Sequence, residues 1–222
     1  MSDKPAKIWD VPTRLFHWAL VILFGVSWYT AENTIMDVHR WSGYAILGLV
    51  AFRIYWGFFG PSTARFGSFI KGPKAIAAYV GGLFSKAQGI VAGHNPLGAL
   101  SVMALLIVLI VHIWFGLFAV DIDGIESGPL SYLLPFDEGR KAAAIHHLTF
   151  SVLLVLAALH ILAIVFYLIV KHDNLIGPMI TGRKKYPEGA EVSARFAPLW
   201  MILPGLIIAG ALIYGVMKGF RF

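Results

Sequence analysis

Residues 145–170 read IHHLTFSVLLVLAALHILAIVFYLIV, a continuous apolar run in which three histidines are the only ionisable groups apart from one tyrosine. A bilayer core of roughly 30 Å needs about 20 apolar residues per helix, so this run is long enough to cross it. Four further stretches satisfy the same length, namely 13–32, 39–59, 97–119 and 197–217. The sequence therefore predicts five membrane-spanning helices.

The composition supports this interpretation. The chain has 222 residues, of which 58% are hydrophobic and 14% charged, and its mean hydropathy is +0.75. Soluble domains carry about 45–50% apolar and about 25% charged residues, so an ordinary soluble enzyme and a disordered chain are excluded. The absence of cysteine excludes disulfides, thiolate iron–sulfur clusters and covalently attached c-type haem. We expect an all-α, polytopic membrane helical bundle that does not bind nucleic acid.

The basic residues predict how the bundle is oriented. Lysine and arginine are enriched in cytoplasmic loops, and an inside N-terminus puts twelve of them inside and five outside, with Arg53 within a span. The inner set is Lys4, Lys7, Arg14, Arg65, Lys71, Lys74, Lys86, Lys171, Arg183, Lys184, Lys185 and Arg195. The outer set is Arg40, Arg140, Lys141, Lys218 and Arg221. This bias predicts a cytoplasmic N-terminus and a C-terminus on the opposite side.

Two connecting loops carry patterns of their own. In the inner loop 60–96, apolar residues of segment 70–79 recur at helical spacing beside lysines, which favours a helix on the inner membrane surface. The outer loop 120–144 is acidic. An acidic loop is either a solvated rim or a surface on which a partner docks.

Histidines at membrane depth point to function. Seven of the eight histidines lie in or beside a span, where ionisable groups are costly and mark functional sites by default. Paired neutral imidazoles are axial ligands of b-type haem, and a chain without cysteine offers no thiolate instead. His146 and His160 are fourteen residues apart, which is about four helical turns and about 21 Å, so they share one face.

Each of these two histidines has a partner at its own depth. The predicted topology puts His39 and His146 near the outer surface, and His17 and His160 near the inner surface. We therefore predict two stacked b haems, an outer one on His39 and His146 and an inner one on His17 and His160. A single membrane histidine often makes only an interhelical hydrogen bond, but four that agree in face and depth favour haem.

Arg53 is a further candidate. It follows His39 by fourteen residues, so it faces the same way about 21 Å deeper, at the level of the inner haem. Two interpretations remain open, a partner of the haem propionates or an arginine that extends its charge to the inner interface.

The remaining histidines receive different interpretations. Asn95 suits a helix cap and Pro96 a first helical turn, so His94 falls in the inner loop. His94 and Asn95 together are a candidate binding site for a quinone carbonyl. We interpret His112 as a hydrogen-bonding partner of a propionate or of another helix rather than as a ligand.

Several stretches resemble bacterial cytochrome b561 proteins of the nickel–iron hydrogenase cytochrome b type. They are residues 9–18 (WDVPTRLFHW), 39–44 (HRWSGY), 52–57 (FRIYWG), 93–98 (GHNPLG), the spacing from His146 to His160, and 174–184 (NLIGPMITGRK). The resemblance covers roughly residues 8–185.

The resemblance implies a four-helix dihaem bundle in a bacterial cytoplasmic membrane, with the same four histidines as ligands. It implies electron transfer between the quinone pool and a periplasmic hydrogenase, dehydrogenase or c-type cytochrome, with the quinone near His94 and Asn95. The chain departs from the pattern at His112 and His147 and in its fifth span. We therefore divide it into a dihaem domain, 1–185, and a linker with an added helix, 186–222.

Two other functions compete with electron transfer. A proton-linked transporter would need a polar path through the membrane midplane, yet the middles of spans one, three and five are nearly all apolar. A haem-free membrane anchor for a partner complex is the second alternative. Any enzymatic activity would be that of a quinone reductase or quinol oxidase within a larger oxidoreductase.

Overall fold

The computed structural model describes residues 4–83, 93–187 and 194–221. Within them the chain forms eight α-helices and one two-stranded sheet. The elements in chain order are β1 (Lys4–Lys7), α1 (Val11–Glu32), α2 (Met36–Phe59), α3 (Phe66–Phe69), α4 (Pro73–Gly81), α5 (Pro96–Phe118), α6 (Phe136–Ile169), α7 (Ile176–Thr181), β2 (Arg183–Tyr186) and α8 (Ile202–Met217). Five helical segments are long and apolar enough to cross a membrane. They coincide with the five predicted spans, so the predicted helical membrane bundle is confirmed.

The start of α1 is fixed by a capping residue that also contacts α2. The Asp10 side chain accepts a hydrogen bond from the backbone N–H of Thr13 at 3.1 Å, as an N-cap residue does. Its second carboxylate oxygen accepts from the indole N–H of Trp56 at 2.9 Å. Pro12 lies in the first turn of the helix, where its missing N–H costs nothing. One buried side chain thus joins the beginning of α1 to the end of α2.

Helix α6 is longer than the hydropathy of the sequence predicts. It begins at Phe136, nine residues before the predicted span, and the acidic connection after α5 ends at Pro135 rather than at residue 144. Residues 136–144 (FDEGRKAAA) are polar but favour a helix, with Asp137 and Glu138 in the first turn, where negative charge is favourable. The helix therefore continues beyond the apolar run.

The first four spans pack around a shared apolar core. The most extensive contacts join α5 to α6 and α1 to α2. The buried centre contains one cluster drawn from α2, α5 and α6, with residues of α1 packed against it: Ile46, Val50, Leu106, Leu109 and Leu153. The turn between α1 and α2 is three residues long, 33–35, so these helices are antiparallel neighbours.

The fifth span, α8, packs on the face of α2 that points away from this core. A Cβ atom added at Gly205 would lie 2.7 Å from Cδ1 of Tyr55, and one added at Gly48 would lie 2.5 Å from Cδ1 of Ile213. Small residues at such positions let membrane helices approach closely. Ala209 is buried in the same interface, against Phe52. The fifth helix is therefore an addition outside the four-helix core.

A short sheet lies at the end of the bundle where α1 begins, which we call the inner end. Strand β1 pairs antiparallel with β2, with Lys4 opposite Tyr186 and Lys7 opposite Arg183. The pairing continues into Gly182, whose carbonyl accepts hydrogen bonds from the N–H groups of Ile8 and Trp9. Gly182 has φ +80° and a Cβ there would meet the Trp9 carbonyl, so only glycine fits without strain. The sequence analysis did not predict this sheet.

The inner connections contain a further helix and the start of the linker. The helix predicted within 70–79 is present as α4, which begins at Pro73. The Tyr79 hydroxyl lies 2.8 Å from that of Tyr167 in α6, and burial together with this hydrogen bond raises the pKa of Tyr79. Lys86 and residues 188–193 of the predicted linker lie outside the described residues.

Candidate functional site

The structure brings the rings of His39 and His146 close together near the outer end of the bundle. Their ring centroids are 6.3 Å apart and the ring planes are nearly perpendicular, at 86°. Nδ1 of His39 lies 2.9 Å from the carbonyl oxygen of Ser27, and Nδ1 of His146 lies 2.8 Å from that of His112. A carbonyl can only accept, so each Nδ1 carries the proton and each Nε2 keeps a free lone pair. This is the arrangement in which protein histidines ligate a metal.

The spacing of this outer pair fits an iron atom between two imidazoles. With a metal–nitrogen bond of about 2 Å and about 1 Å from nitrogen to ring centre, two histidines across one metal have centroids about 6 Å apart. Two ligands leave the equatorial positions to the cofactor, as in bis-histidine haem. Gly43, one turn after His39, has no atom within 4 Å of where its Cβ would be. The bare backbone there leaves room for a flat ring.

His112 lies against the outer pair rather than across from it. Its ring stacks on that of His146 at 3.8 Å between centroids and 12° between planes. Its Nδ1 lies 3.1 Å from both the His146 carbonyl oxygen and the Thr149 hydroxyl. His112 thus makes an interhelical hydrogen bond between α5 and α6, one of the two roles that the sequence suggested. His147 lies further from His146, at 6.4 Å between centroids.

The structure also brings together the four groups predicted for the inner site. His17 on α1 and His160 on α6 lie near one another, and both lie near His94. Nδ1 of His160 lies 3.3 Å from the Ser101 hydroxyl. Nδ1 of His17 is buried and has no hydrogen-bond partner among the described residues.

Arg53 is buried at this inner site, with only 4% of its surface exposed. One amino group, Nη2, donates to the carbonyl of Ala64 at 3.2 Å, and the guanidinium lies 5.0 Å from the centre of the Phe66 ring. The other, Nη1, is buried without a partner among the described residues. An arginine that extended its charge to the interface would be exposed, so burial favours the other interpretation, a partner for an anionic group.

His94 lies beside Arg53 on an aromatic wall. Its ring centre is 4.8 Å from that of Trp9 and 4.9 Å from that of Phe69. Burial, reinforced by the positive charge of Arg53, lowers the pKa of His94 to about 3, so His94 is neutral at physiological pH. Its Nδ1 has no partner among the described residues.

Asn95 has a different role in the structure. Its side-chain oxygen accepts a hydrogen bond from the backbone N–H of Gly98 at 2.8 Å and caps α5. The cap uses the side-chain oxygen, which leaves only its amide N–H groups for a ligand.

Among the described residues, five unpartnered buried polar atoms lie at the inner end: those on His17, Arg53 and His94, and two more on Thr13 and Arg14 at the start of α1. Buried polar groups almost always have partners, and exceptions call for an explanation. A cofactor with anionic substituents between these side chains would supply the missing partners. In the described ranges no three acidic or histidine side chains are grouped to chelate a bare metal ion.

Sequence reasoning missed the residues that hold the candidate ligands in place. The carbonyl of Ser27 and the hydroxyl of Ser101 contact His39 and His160, and neither belongs to a motif. Gly116 was missed for the same reason, although a Cβ there would lie 2.7 Å from Cε1 of His146. The one available signal was its position, one turn after His112 on α5.

Comparison with known proteins gives a family match and two similar proteins, all of them described as cytochromes. A family model described as prokaryotic cytochrome b561 matches residues 8–182. The chain is similar to proteins named probable Ni/Fe-hydrogenase B-type cytochrome subunit from Azotobacter chroococcum mcd 1 and Azotobacter vinelandii. Each is 23% identical over 215 residues, covering 82% of this chain and 89% of the relative. No solved structure is significantly similar to it.

The match of the family model begins directly after β1, extends through α7 and includes His17, His39, His146 and His160. The family name denotes b-type cytochromes, which are membrane proteins that bind haem b and transfer electrons. The chain belongs to the prokaryotic cytochrome b561 family.

Proposed function

We propose that this cytochrome binds two haems b and transfers electrons between the quinone pool and a periplasmic redox partner. The observation that carries the proposal is the outer histidine pair. His39 and His146 have centroids 6.3 Å apart, and each ring is fixed through Nδ1 to a backbone carbonyl. His39 and His146 would hold haem iron between them, and haem bound in this way would supply one-electron chemistry suited to electron transfer rather than oxygen binding.

The inner site is less symmetric than the outer one, and its residues have separate proposed roles. His17 and His160 are the proposed inner ligands. Arg53 holds a positive charge inside the bundle and has one amino group free, which suits it to a haem propionate. Ser101 keeps the ring of His160 oriented through Nδ1. The dihaem unit is then residues 1–185, and α8 is attached to its α2 side.

The proposed quinone site lies next to this inner group. His94 is neutral, lies on an aromatic wall and has an unpartnered Nδ1, which suits a quinone carbonyl beside flat apolar surfaces. Asn95 would contribute only through its amide N–H groups, because its oxygen caps α5.

The proposed partner binds at the outer end. The relatives' names refer to Ni/Fe-hydrogenase, and a hydrogenase, another dehydrogenase or a c-type cytochrome would suit an outer haem near the surface. One acidic residue of the connection between α5 and α6 already forms an ion pair within the chain, because Glu126 pairs with Arg40 on α2. The charge bias of the loops supports an N-terminus in the cytoplasm and a C-terminus in the periplasm of a bacterial inner membrane.

The decisive experiment is the haem b content of the purified chain, measured as the pyridine haemochrome. We expect about two haems per chain in the wild type and about one in His146→Ala and in His160→Ala. His172→Ala is the matched control, because His172 is exposed in the turn after α6 and contacts neither site. Two haems retained in both ligand variants would refute the ligand assignment. A folded wild type without haem would instead favour a haem-free anchor or a transporter.

Electron transfer between quinol and the haems needs a second measurement. Membranes that contain the wild type should show haem reduction on addition of a quinol, and His160→Ala membranes should not. His94→Phe keeps the flat ring but removes both ring nitrogens, so we expect slower reduction with unchanged haem content. Equal rates for His94→Phe and the wild type would exclude His94 from the quinone site.

A further inference from the structure

His112 and His146 form a reciprocal pair across α5 and α6. Nδ1 of His146 donates to the His112 carbonyl at 2.8 Å, and Nδ1 of His112 lies 3.1 Å from the His146 carbonyl. Both helices supply one ring and one carbonyl, and the rings stack at 3.8 Å. The two rings are thus held both by hydrogen bonds at their edges and by stacking of their faces.

Gly116 lies against the same ring. It lies one turn after His112 on α5, and the His146 ring is so close that a Cβ at Gly116 would lie 2.7 Å from Cε1 and 2.9 Å from Nδ1. The His146 ring therefore contacts both the flat side chain of His112 and the bare backbone of Gly116. We call this the His146 slot.

The slot fixes the plane of His146 relative to that of His39. Rotation of the His146 ring about its Cβ–Cγ bond is opposed by the stacked ring of His112 and by the close α5 backbone at Gly116. The hydrogen bond through Nδ1 alone would tolerate a swing of tens of degrees. The observed angle of 86° to His39 is thus maintained by packing as well as by the hydrogen bond.

We propose that His112, with Gly116, is a positioning residue that holds the two axial imidazoles of the outer haem nearly perpendicular. The inference rests on the proposed function, because it concerns the ligand His146. It goes further by assigning the ligand orientation, and with it the electronic structure of the outer haem, to a side chain that does not bind iron. Groups that orient a metal ligand tune the properties of the metal.

The test uses electron paramagnetic resonance of the oxidised, haem-loaded full-length protein. The relative orientation of two axial imidazole planes sets the g-anisotropy of a low-spin ferric haem, and perpendicular planes give a highly anisotropic signal. We expect this signal from the wild-type outer haem and a shift to lower anisotropy in His112→Ala, with two haems per chain retained. His147→Ala is the matched control, because His147 is the neighbouring histidine but is exposed and outside the slot.

Two more variants separate orientation from simple loss of structure. His112→Phe keeps the flat wall and removes the Nδ1 donor, so it should keep the wild-type signal. Gly116→Ala keeps His112 and puts a Cβ into the slot, so it should shift the signal in spite of an unchanged histidine set.

The possible failures are distinguishable. An unchanged signal in both His112→Ala and Gly116→Ala would overturn the inference while leaving the proposed function intact. Loss of the outer haem in His112→Ala with its retention in His146→Ala would make His112 itself the ligand and overturn the inference. A wild type without haem would overturn the proposed function and this inference together.

Discussion

Replacement of Asp10 by Ala tests the hydrogen bonds that connect the start of α1 to the end of α2. In the structure the Asp10 carboxylate makes two hydrogen bonds, to the backbone N–H of Thr13 and to the indole of Trp56. Trp56 is only 2% exposed, so no water replaces the carboxylate when it is removed. His17 lies two turns further along α1, and its position depends on how this helix begins.

The cost can be worked out from the two bonds. Loss of an N-cap costs about 1 kcal/mol, and a buried N–H left without a partner costs about 1–3 kcal/mol. The Asp10→Ala variant should therefore lose about 2–4 kcal/mol of unfolding free energy, which corresponds to about a 30- to 1000-fold larger unfolding constant. In a Trp56→Phe background the indole N–H is already absent, so the same replacement should cost only the cap, about 1 kcal/mol.

The assay is reversible unfolding in detergent, followed by helical circular dichroism for the wild type, both single variants and the double variant. The cycle isolates the Asp10–Trp56 interaction, which we expect to be about 1–3 kcal/mol. Asp10→Asn is the matched control, since asparagine keeps the cap but presents an N–H to the indole. An equal cost of Asp10→Ala in both backgrounds would show that the two side chains are not coupled and would refute this reasoning.

Two further predictions concern α8 and the inner site. Gly205→Ala should lower the melting temperature, because its Cβ would lie 2.7 Å from Tyr55. Gly210→Ala on the same helix is the control, because its Cβ would meet no atom within 4 Å and should not lower the melting temperature. Equal shifts would mean that the packing of α8 does not depend on the contact at Gly205. Arg53→Met removes a buried positive charge, so potentiometric titration should give a lower midpoint potential for the inner haem and an unchanged outer one. A higher inner potential would contradict the placement of Arg53 beside that haem.

The spans were predictable from the sequence because hydropathy reports directly on residence in a membrane. The predicted and observed limits of α2 and α5 differ by three residues or fewer. The beginning of α6 was wrong by nine residues for a physical reason. Hydropathy marks the thickness of the apolar layer, whereas residues 136–144 form helix through backbone propensity and a favourable first turn.

The histidine positions followed from helical geometry, but their surroundings did not. Spacing along one helix gives face and depth, so it related His146 to His160. It does not report which carbonyl a ring contacts, because that depends on how two helices cross. The stacking of His112 on His146 and the contact of His39 with Ser27 arise from such crossings. The alternatives for Arg53 were likewise open until its burial was known.

The inner sheet could not be predicted from the sequence because its two strands are short and far apart along the chain. Each has four residues, and neither alternates clearly between polar and apolar side chains. The pairing joins positions about 180 residues apart, so only tertiary structure brings them together.

This same sheet has a consequence for how the protein is made. During synthesis, Lys4–Lys7 is made before Arg183–Tyr186 and cannot pair until that strand has been translated, after α1, α2, α5 and α6. Formation of the sheet therefore follows the synthesis of four membrane helices. Pairing of β1 with β2 is a late event, so it would report that insertion of these helices is complete.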